Sequence, residues 1–162
     1  MELRHVVAAT DQSEAGHHAV LAAARLAEHA GARLTVLSVR PVSPAGAAAQ
    51  RSVSDSEHQT LLRDLSQRLE ADLRRHAPGV SPSFTVLSGV PGIEIPRYAE
   101  EHAGDLLVLG RKQRTQRQRM FLGDTADAVA RRSQVPCLFV GVDCDGFGPM
   151  LVCLDSTERS VQ

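Results

Sequence analysis

The sequence predicts an α/β protein, an open parallel sheet with helices on both faces, and two observations carry the prediction. Strand-like apolar runs alternate with helix-like segments from residue 3 to residue 142. Strands that alternate with helices become parallel, joined by right-handed crossovers. Residues 105–129 (DLLVLGRKQRTQRQRMFLGDTADAV) then read as a buried strand, a glycine, a basic loop, a second glycine and a helix start. In an open parallel sheet this makes an anion site, because the helix dipole and its unpaired N–H groups point at the loop. A length of 162 residues suits one domain with a real core and is short for two.

The first strand is 3–10 (LRHVVAAT), short and apolar after a charged start. Asp11, Gln12 and Ser13 follow as helix N-cap candidates. Residues 14–30 are rich in Ala at helical spacing, with Ala19, Ala23, Leu26 and Ala30 on one face, where small side chains let the helix sit close to a sheet. Gly31 ends this helix as a C-cap. Residues 33–40 (RLTVLSVR) are the second strand, dense in β-branched and aliphatic side chains. Residues 41–53 are a small, proline-marked loop, read as a flap. SEHQ at 56–59 has the pattern of a capping box. The second helix carries Leu62, Leu65, Leu69 and Leu73 on one face and Arg63, Asp64, Arg68, Glu70 and Arg74 on the other, and Pro78 and Gly79 stop it. Residues 83–87 (SFTVL) are the third strand, and 89–92 turn into a third helix that runs to about Ala103. Pro96 must lie in its first turn or kink it, because proline has no N–H. Residues 106–109 are the fourth strand, 125–132 the fourth helix and 135–142 (VPCLFVGV) the fifth strand.

Ligands in such sheets bind beyond the carboxyl ends of the strands, where strand order reverses. If the first and fourth strands flank that point, Asp11 and the Gly110 loop face one crevice.

Composition narrows the function classes. The net charge of -1 supplies no global field towards nucleic acid or an acidic membrane, so neither is an expected partner. Trp is absent and aromatics are 3%, which removes stacking platforms for single-stranded bases. The opening MELRHVV lacks the pattern of an export signal, and no run approaches transmembrane length. Cys137, Cys144 and Cys153 are odd in number and lack CxxC spacing, so plain reduced thiols in a cytoplasmic protein are expected. His17 and His18 are adjacent on a helix and cannot share a metal as an i, i+4 pair would, so they read as surface residues. The chain has no GxSxG elbow, HExxH, P-loop or GxGxxG after the first strand. A phospho-accepting receiver domain would need Asp ending the third strand and Lys ending the fifth, where this chain has Ser88 and Gly141. The expected protein is not an enzyme and holds no metal.

Residues 150–158 (MLVCLDSTE) match residues 6–14 (VVAATDQSE) at one constant offset, with Asp155 on Asp11, Thr157 on Ser13 and Glu158 on Glu14. The organisation read from this is one domain at 1–142, a turn-rich linker at 143–149 and the start of a truncated second repeat at 150–162. Residues 150–154 then form an extra C-terminal strand that seeks a sheet edge. It adds antiparallel to the fifth strand, its own or a partner's.

The chain resembles a universal stress protein domain from residue 3 to residue 142. The pieces that carry the resemblance are VVAATDQSE (6–14), GARLTVLSV (31–39), GVPGIEIPRYAEEHAGDLLVLG (89–110) and RRSQVPCLFV (131–140). The resemblance implies a five-stranded, Rossmann-like parallel domain made under stress or growth arrest. It also implies a homodimer that pairs through the fifth-strand edge. One branch of the family binds ATP and another does not. The ATP-binding branch carries Gly, two residues, Gly, nine residues, then Gly followed by Ser or Thr; this chain has Gly110, Gln113 and Gly123 at those glycine positions, with Asp124 next and Thr125 one place late. By the same matching, Asp11 and Val39 lie where that branch holds adenosine.

The two departures have physical costs. Gln113 adds a side chain where glycine would let the backbone approach a phosphate, and φ > 0 costs a non-Gly residue on the order of 1 kcal/mol. Asp124, as an N-cap, would take the free N–H groups itself and meet a phosphate with like charge. Arg111, Lys112, Arg114, Arg117 and Arg119 offset part of this, so ATP with Mg²⁺ is expected to bind weakly or not at all. The same cations read either as an anion-binding surface or as a solvated charge run. Asp11 fits a ribose or metal contact and equally a turn or cap. The expected function is a non-catalytic stress-response module with a degraded ATP motif. Two alternatives stay open: an ATP-dependent switch of the same fold, and a module docking an anionic partner on the Arg loop.

Overall fold

The computed structural model describes residues 2–42, 55–111 and 123–141, with the side chains of the second helix from residue 57. The flap beyond Val42, the basic loop after Arg111, the linker and the tail lie outside the described residues, and so do the readings of a second repeat and an extra strand.

The described chain runs β1 (His5–Ala9), α1 (Glu14–Ala30), β2 (Arg33–Pro41), α2 (Asp55–His76), β3 (Ser83–Gly89), α3 (Pro91–Glu101), β4 (Leu106–Gly110), α4 (Asp124–Arg132) and β5 (Cys137–Val140). The strands form one sheet in the order β3-β2-β1-β4-β5, every neighbouring pair parallel. The chain steps outward from β1 to β2 and β3, and α3 then carries it back past β1 to β4. Strand order therefore reverses between β1 and β4.

β1 is buried along its whole length because helices cover both faces of a parallel sheet. Val6 and Ala8 pack with Leu34, Val36 and Val108 beneath α1 and α2. Val7 and Ala9 pack with Leu37, Leu107 and Leu109 against Ile95 and Ala99 of α3 and Val129 of α4. Ser13 is the N-cap of α1, accepting from the Gly16 N–H at 3.3 Å. Gly31 closes the helix in the left-handed region at φ 64, its N–H reaching the Ala27 and Glu28 carbonyls.

Several boundaries differ from the sequence reading. The buried stripe of α1 runs through Gly16, Ala19, Val20, Ala23, Ala24 and Ala27. Leu26 is half-buried at its margin and Ala30 is exposed. A helix lying flat on a sheet buries a broad arc rather than a narrow line, and here its last turn stays exposed. Leu65, Leu69 and Leu73 of α2 are buried as expected, with Leu62 half-buried. That helix starts at Asp55, so Ser56 is inside its first turn and not at its cap. Pro96 is inside α3 and buried, one turn deeper than the first, and the helix continues through it. α3 stops at Glu101 because Ala103 turns left-handed at φ 51. β5 is shorter than the apolar run that suggested it, beginning only after Pro136. His17 is half-buried, and its Nε2 lies 3.2 Å from Asp72 Oδ2, tying α1 to α2. Burial pushes the Cys137 thiol up, which suits an unreactive thiol.

A closed polar network ties the amino ends of the strands together. His5 is 3% exposed. Its Nε2 lies 2.9 Å from Thr35 Oγ1, which lies 3.0 Å from Ser83 Oγ. Its Nδ1 lies 3.1 Å from an Arg33 nitrogen and 3.1 Å from the His102 carbonyl. With Nε2 protonated, Arg33 donates to Nδ1, His5 to Thr35, Thr35 to Ser83, and Ser83 to the Leu34 carbonyl at 3.3 Å; with Nδ1 protonated, His5 donates to the His102 carbonyl instead and accepts from Thr35. The Asp105 carboxylate accepts the Arg4 and His5 backbone N–H groups, both at 2.8 Å. Those two bonds hold the Asp105 carboxyl below the usual carboxylate range, and burial lowers His5 from its ordinary 6.5.

Candidate functional site

At the opposite, carboxyl end of the sheet the strands open on a cavity of about 690 Å³. It lies where strand order reverses, and its size is that of small-molecule sites. β1 delivers Thr10 and Asp11 to it, β2 delivers Ser38 to Pro41, β4 delivers Leu109 and Gly110, and α4 presents Gly123 to Ala126. Ala9, Val39, Leu61, Pro91, Ile95 and Leu109 give it an apolar wall.

The β1–α1 turn is held by its own side chains. Thr10 Oγ1 accepts the Gln12 N–H at 3.0 Å. Asp11 Oδ1 accepts the Ser13 N–H at 3.0 Å and the Ser13 hydroxyl. Gln12 sits between them at φ 61, which is strained for a residue with a side chain, and its Oε1 accepts from Arg68 of α2 at 3.0 Å. Asp11 is thus a turn residue and a cavity residue at once, because its exposed carboxylate also lines the space.

The two glycines that flank the basic loop do different work. A Cβ on Gly110 would collide with the Ala15 carbonyl and come within 2.7 Å of the Gly16 nitrogen. This glycine lets the first turn of α1 press against β4. Gly123 has an ordinary φ of -63, and a Cβ there would meet nothing within 4 Å among the described residues. Among the described residues neither backbone nor packing requires glycine at that position, and it lines the cavity.

Gly123, not Asp124, is the N-cap of α4, and no side chain makes a cap hydrogen bond there. This corrects the expectation for Asp124. With Gly123 extended at ψ 159, Asp124 is already the first helical residue, past the position from which a carboxylate folds back on the N–H groups. The Asp124 side chain is exposed and lines the cavity beside those N–H groups. α4 is otherwise arranged along its dipole, with Asp124 and Asp127 in its first turn and Arg131 and Arg132 in its last.

These residues fit the two ends of a nucleotide unequally. The apolar wall and the polar edge at Asp11 suit a base and sugar. The helix end that would receive phosphates offers N–H groups and room at Gly123, but sets a carboxylate among them. Among the described residues no three His, Cys, Asp or Glu side chains gather to hold a metal ion.

Asp11, Val39, Gly110, Gly123, Asp124 and Thr125, separated by more than a hundred residues of chain, line this one cavity. Arg111 leaves β4 with its N–H on the Val140 carbonyl at 2.7 Å. Lys112, Gln113, Arg114, Arg117 and Arg119 lie outside the described residues. Sequence reasoning missed Ser38, Arg40, Leu61, Pro91 and Ile95. A signal for the first two existed. On one face of β2 the residues run Leu34, Val36, Ser38, Arg40, turning from apolar to polar at the carboxyl end, where the crevice lies.

Comparison with known proteins agrees with this geometry. A family model described as the Universal stress protein family matches residues 2–141. Universal stress protein MJ0531 of Methanocaldococcus jannaschii is 30% identical over 143 residues, covering 85% of this chain and 81% of its own. Among solved structures, the universal stress protein UspA from Lactobacillus plantarum superposes with a TM-score of 0.64 at 23% identity, over 86% of this chain and 99% of its own. A universal stress protein in complex with cAMP gives 0.61 at 24% identity, over 88% and 100%. The universal stress protein from Archaeoglobus fulgidus in complex with dAMP gives 0.60 at 20% identity, over 86% and 98%. The structural likenesses establish the fold. No helix of the described residues is long and apolar enough to cross a membrane.

Proposed function

The chain belongs to the universal stress protein family, and from that premise we propose that it is a non-catalytic stress-response module whose cavity takes an adenine nucleotide but disfavours the triphosphate. The observation that carries this reading is the position of Asp124. Its carboxylate stands in the first turn of α4, on the cavity, without a capping role. A polyphosphate chain directed at that turn meets a negative charge. Two structural neighbours bound to cAMP and dAMP, each with a single phosphate, support nucleotide occupancy of this fold. Mg²⁺ carried with ATP would screen part of the repulsion, so binding is weakened and not abolished.

Equilibrium binding of labelled ATP, with and without Mg²⁺, tests the reading. The unmodified protein should bind ATP weakly. The double substitution Gln113→Gly with Asp124→Ser should raise ATP affinity at least about tenfold, since it restores a glycine of the family's phosphate motif and removes a like charge, together worth on the order of 1–2 kcal/mol. Micromolar ATP binding by the unmodified protein would favour the ATP-dependent switch instead.

The sheet ends at β5 among the described strands, and we further propose that this edge, or the tail beyond it, pairs with a second copy in a cytoplasmic homodimer. A monomeric mass in sedimentation at micromolar concentration would remove that part.

A further inference from the structure

The polar contacts that bridge α1 and α2 step forward together on both sides: Gln12, in the turn before α1, meets Arg68, then His17 meets Asp72 and Arg25 meets His76. The two helices are therefore parallel neighbours. A groove of about 200 Å³ lies at the first two of these contacts. Its floor is Leu65 and Leu69, both buried, and its rim carries Glu14, His17 and Arg68. The β1–α1 turn is the wall that this groove shares with the main cavity, since Thr10, Gln12 and Ser13 line both. Glu14 and Arg68 line the groove and not the main cavity.

The charges on this rim are not cancelled within the chain. His17 and Asp72 face each other at 3.2 Å. The Asp11 carboxylate, next along the turn, closes on the Ser13 N–H. Glu14 and Arg68 have opposite charges on one groove, yet among the described residues no ion pair joins either of them to the other or to any third group. Glu14 also complements the α1 dipole, a role that leaves its oxygens unbonded. Arg68 is held in place. One terminal nitrogen donates to Gln12 Oε1 at 3.0 Å, which fixes the guanidinium beside the groove and leaves its other N–H donors open. The residue it holds is the one at φ 61, and strain of that kind clusters at ligand sites.

An apolar floor, a fixed cation and a separate carboxylate match a small zwitterion. An anion alone would be opposed by Glu14, and a cation alone by Arg68. A neutral apolar molecule would leave both charges unused. A ligand carboxylate takes the guanidinium in charge-assisted bonds, a ligand ammonium takes Glu14, and an aliphatic chain lies on Leu65 and Leu69. The volume is below that of drug-sized sites and limits the ligand to a few heavy atoms.

We propose that this groove is a second ligand site of the chain, and that its ligand is a free α-amino acid with an aliphatic side chain. The assignment is independent of what the main cavity holds.

Thermal shift of the full chain tests it with three probes. L-Leucine carries both charges, N-acetyl-L-leucine keeps only the carboxylate, and L-leucinamide keeps only the ammonium. Leucine should raise the melting temperature, and each half-ligand should bind about tenfold or more weakly, as the loss of a charge-assisted bond implies. Glycine should protect less than leucine, because it has no chain to place on Leu65 and Leu69. Arg68→Gln should erase the preference for leucine over leucinamide, and Glu14→Gln the preference over N-acetyl-leucine. Both residues are exposed, so unchanged melting of the unliganded variants serves as the folding control. Absent protection by leucine, equal protection by a half-ligand, or preferences that persist in both variants overturns the site. None of these results bears on ATP binding in the main cavity, so the two readings fail separately.

Discussion

The two ends of the sheet treat polar side chains in opposite ways. At the amino end, His5, Thr35, Ser83 and Arg33 form a chain in which every member meets another, and the Asp105 carboxylate closes on two backbone N–H groups. At the carboxyl end, Ser38 and Arg40 reach into open space, and Asp124 stands at a helix start without capping it. The residue types are similar and the strands are the same. A polar group bonded within the chain contributes stability, whereas one left facing a cavity forgoes that bond and is free for a ligand. We assign the amino end to structure and the carboxyl end to ligand binding, and substitutions can test that assignment.

The largest effect is expected at the amino end. His5→Leu keeps the volume but removes the ring nitrogens that meet Thr35 in a buried setting and Arg33 in a half-buried one. The loss should be about 2–3 kcal/mol, the cost of leaving buried partners unmade. Arg40→Gln at the other end should stay within about 0.5 kcal/mol of wild type, as substitutions outside such networks do. Urea denaturation of both variants measures the contrast. Equal destabilisation would break it, because Arg40 would then be structural.

A smaller and graded effect is expected from pH. The folded state holds His5 below its ordinary 6.5, mainly through burial, with the His102 carbonyl opposing it and Arg33 adding repulsion. Above pH 6.5 the ring is neutral in both folded and unfolded chains and contributes nothing to the slope. As pH falls below 6.5 the unfolded chain takes up the proton first, so stability declines. Asp105 acts in the same direction but lower down. Its folded carboxyl lies below the ordinary 3.8, so its stabilisation is complete above that value and is lost as pH drops beneath it. The urea midpoint should therefore slope downward in two stages, from about 6.5 and again from about 4. His5→Gln should remove the first stage and keep the second. A first stage that persists in His5→Gln would assign it to another group.

How much of this was legible in the sequence follows the same division. The fold was readable because VVAA and LTVLSV sit where a parallel sheet buries both faces, and the alternation with helices fixes the strand direction. The crevice was readable because Asp11 and Gly110 end adjacent strands at the reversal point. Detail failed where one residue's role depends on its neighbour's backbone. Asp124 looked like a cap, and the extended Gly123 took that position instead. Gly110 looked like a phosphate glycine, and its immediate cause is the Ala15 carbonyl pressed against it. His5 and Arg40 each read as one charged or polar letter at a strand end. Only the three-dimensional pairing distinguishes the bonded one from the open one.

Gln12 lies between the two regimes and carries the smallest expected effect. It borders the cavity, yet its strain is fixed by bonds of the amino-end kind: its N–H to Thr10 Oγ1 and its Oε1 from Arg68. Glycine accepts φ 61 without the clash that costs a side chain about 1 kcal/mol. Against that gain, Gln12→Gly frees the unfolded chain by roughly 0.5–1 kcal/mol and gives up an exposed hydrogen bond worth a few tenths. The terms nearly cancel, so Gln12→Gly should shift stability by less than about 0.5 kcal/mol. Gln12→Val should cost about 1–2 kcal/mol, because a β-branched residue resists the left-handed region more strongly. Comparable urea midpoints for the glycine and valine variants would mean that the turn relaxes out of φ > 0. The shape of the cavity's β1 edge would then not depend on the strained residue beside Asp11.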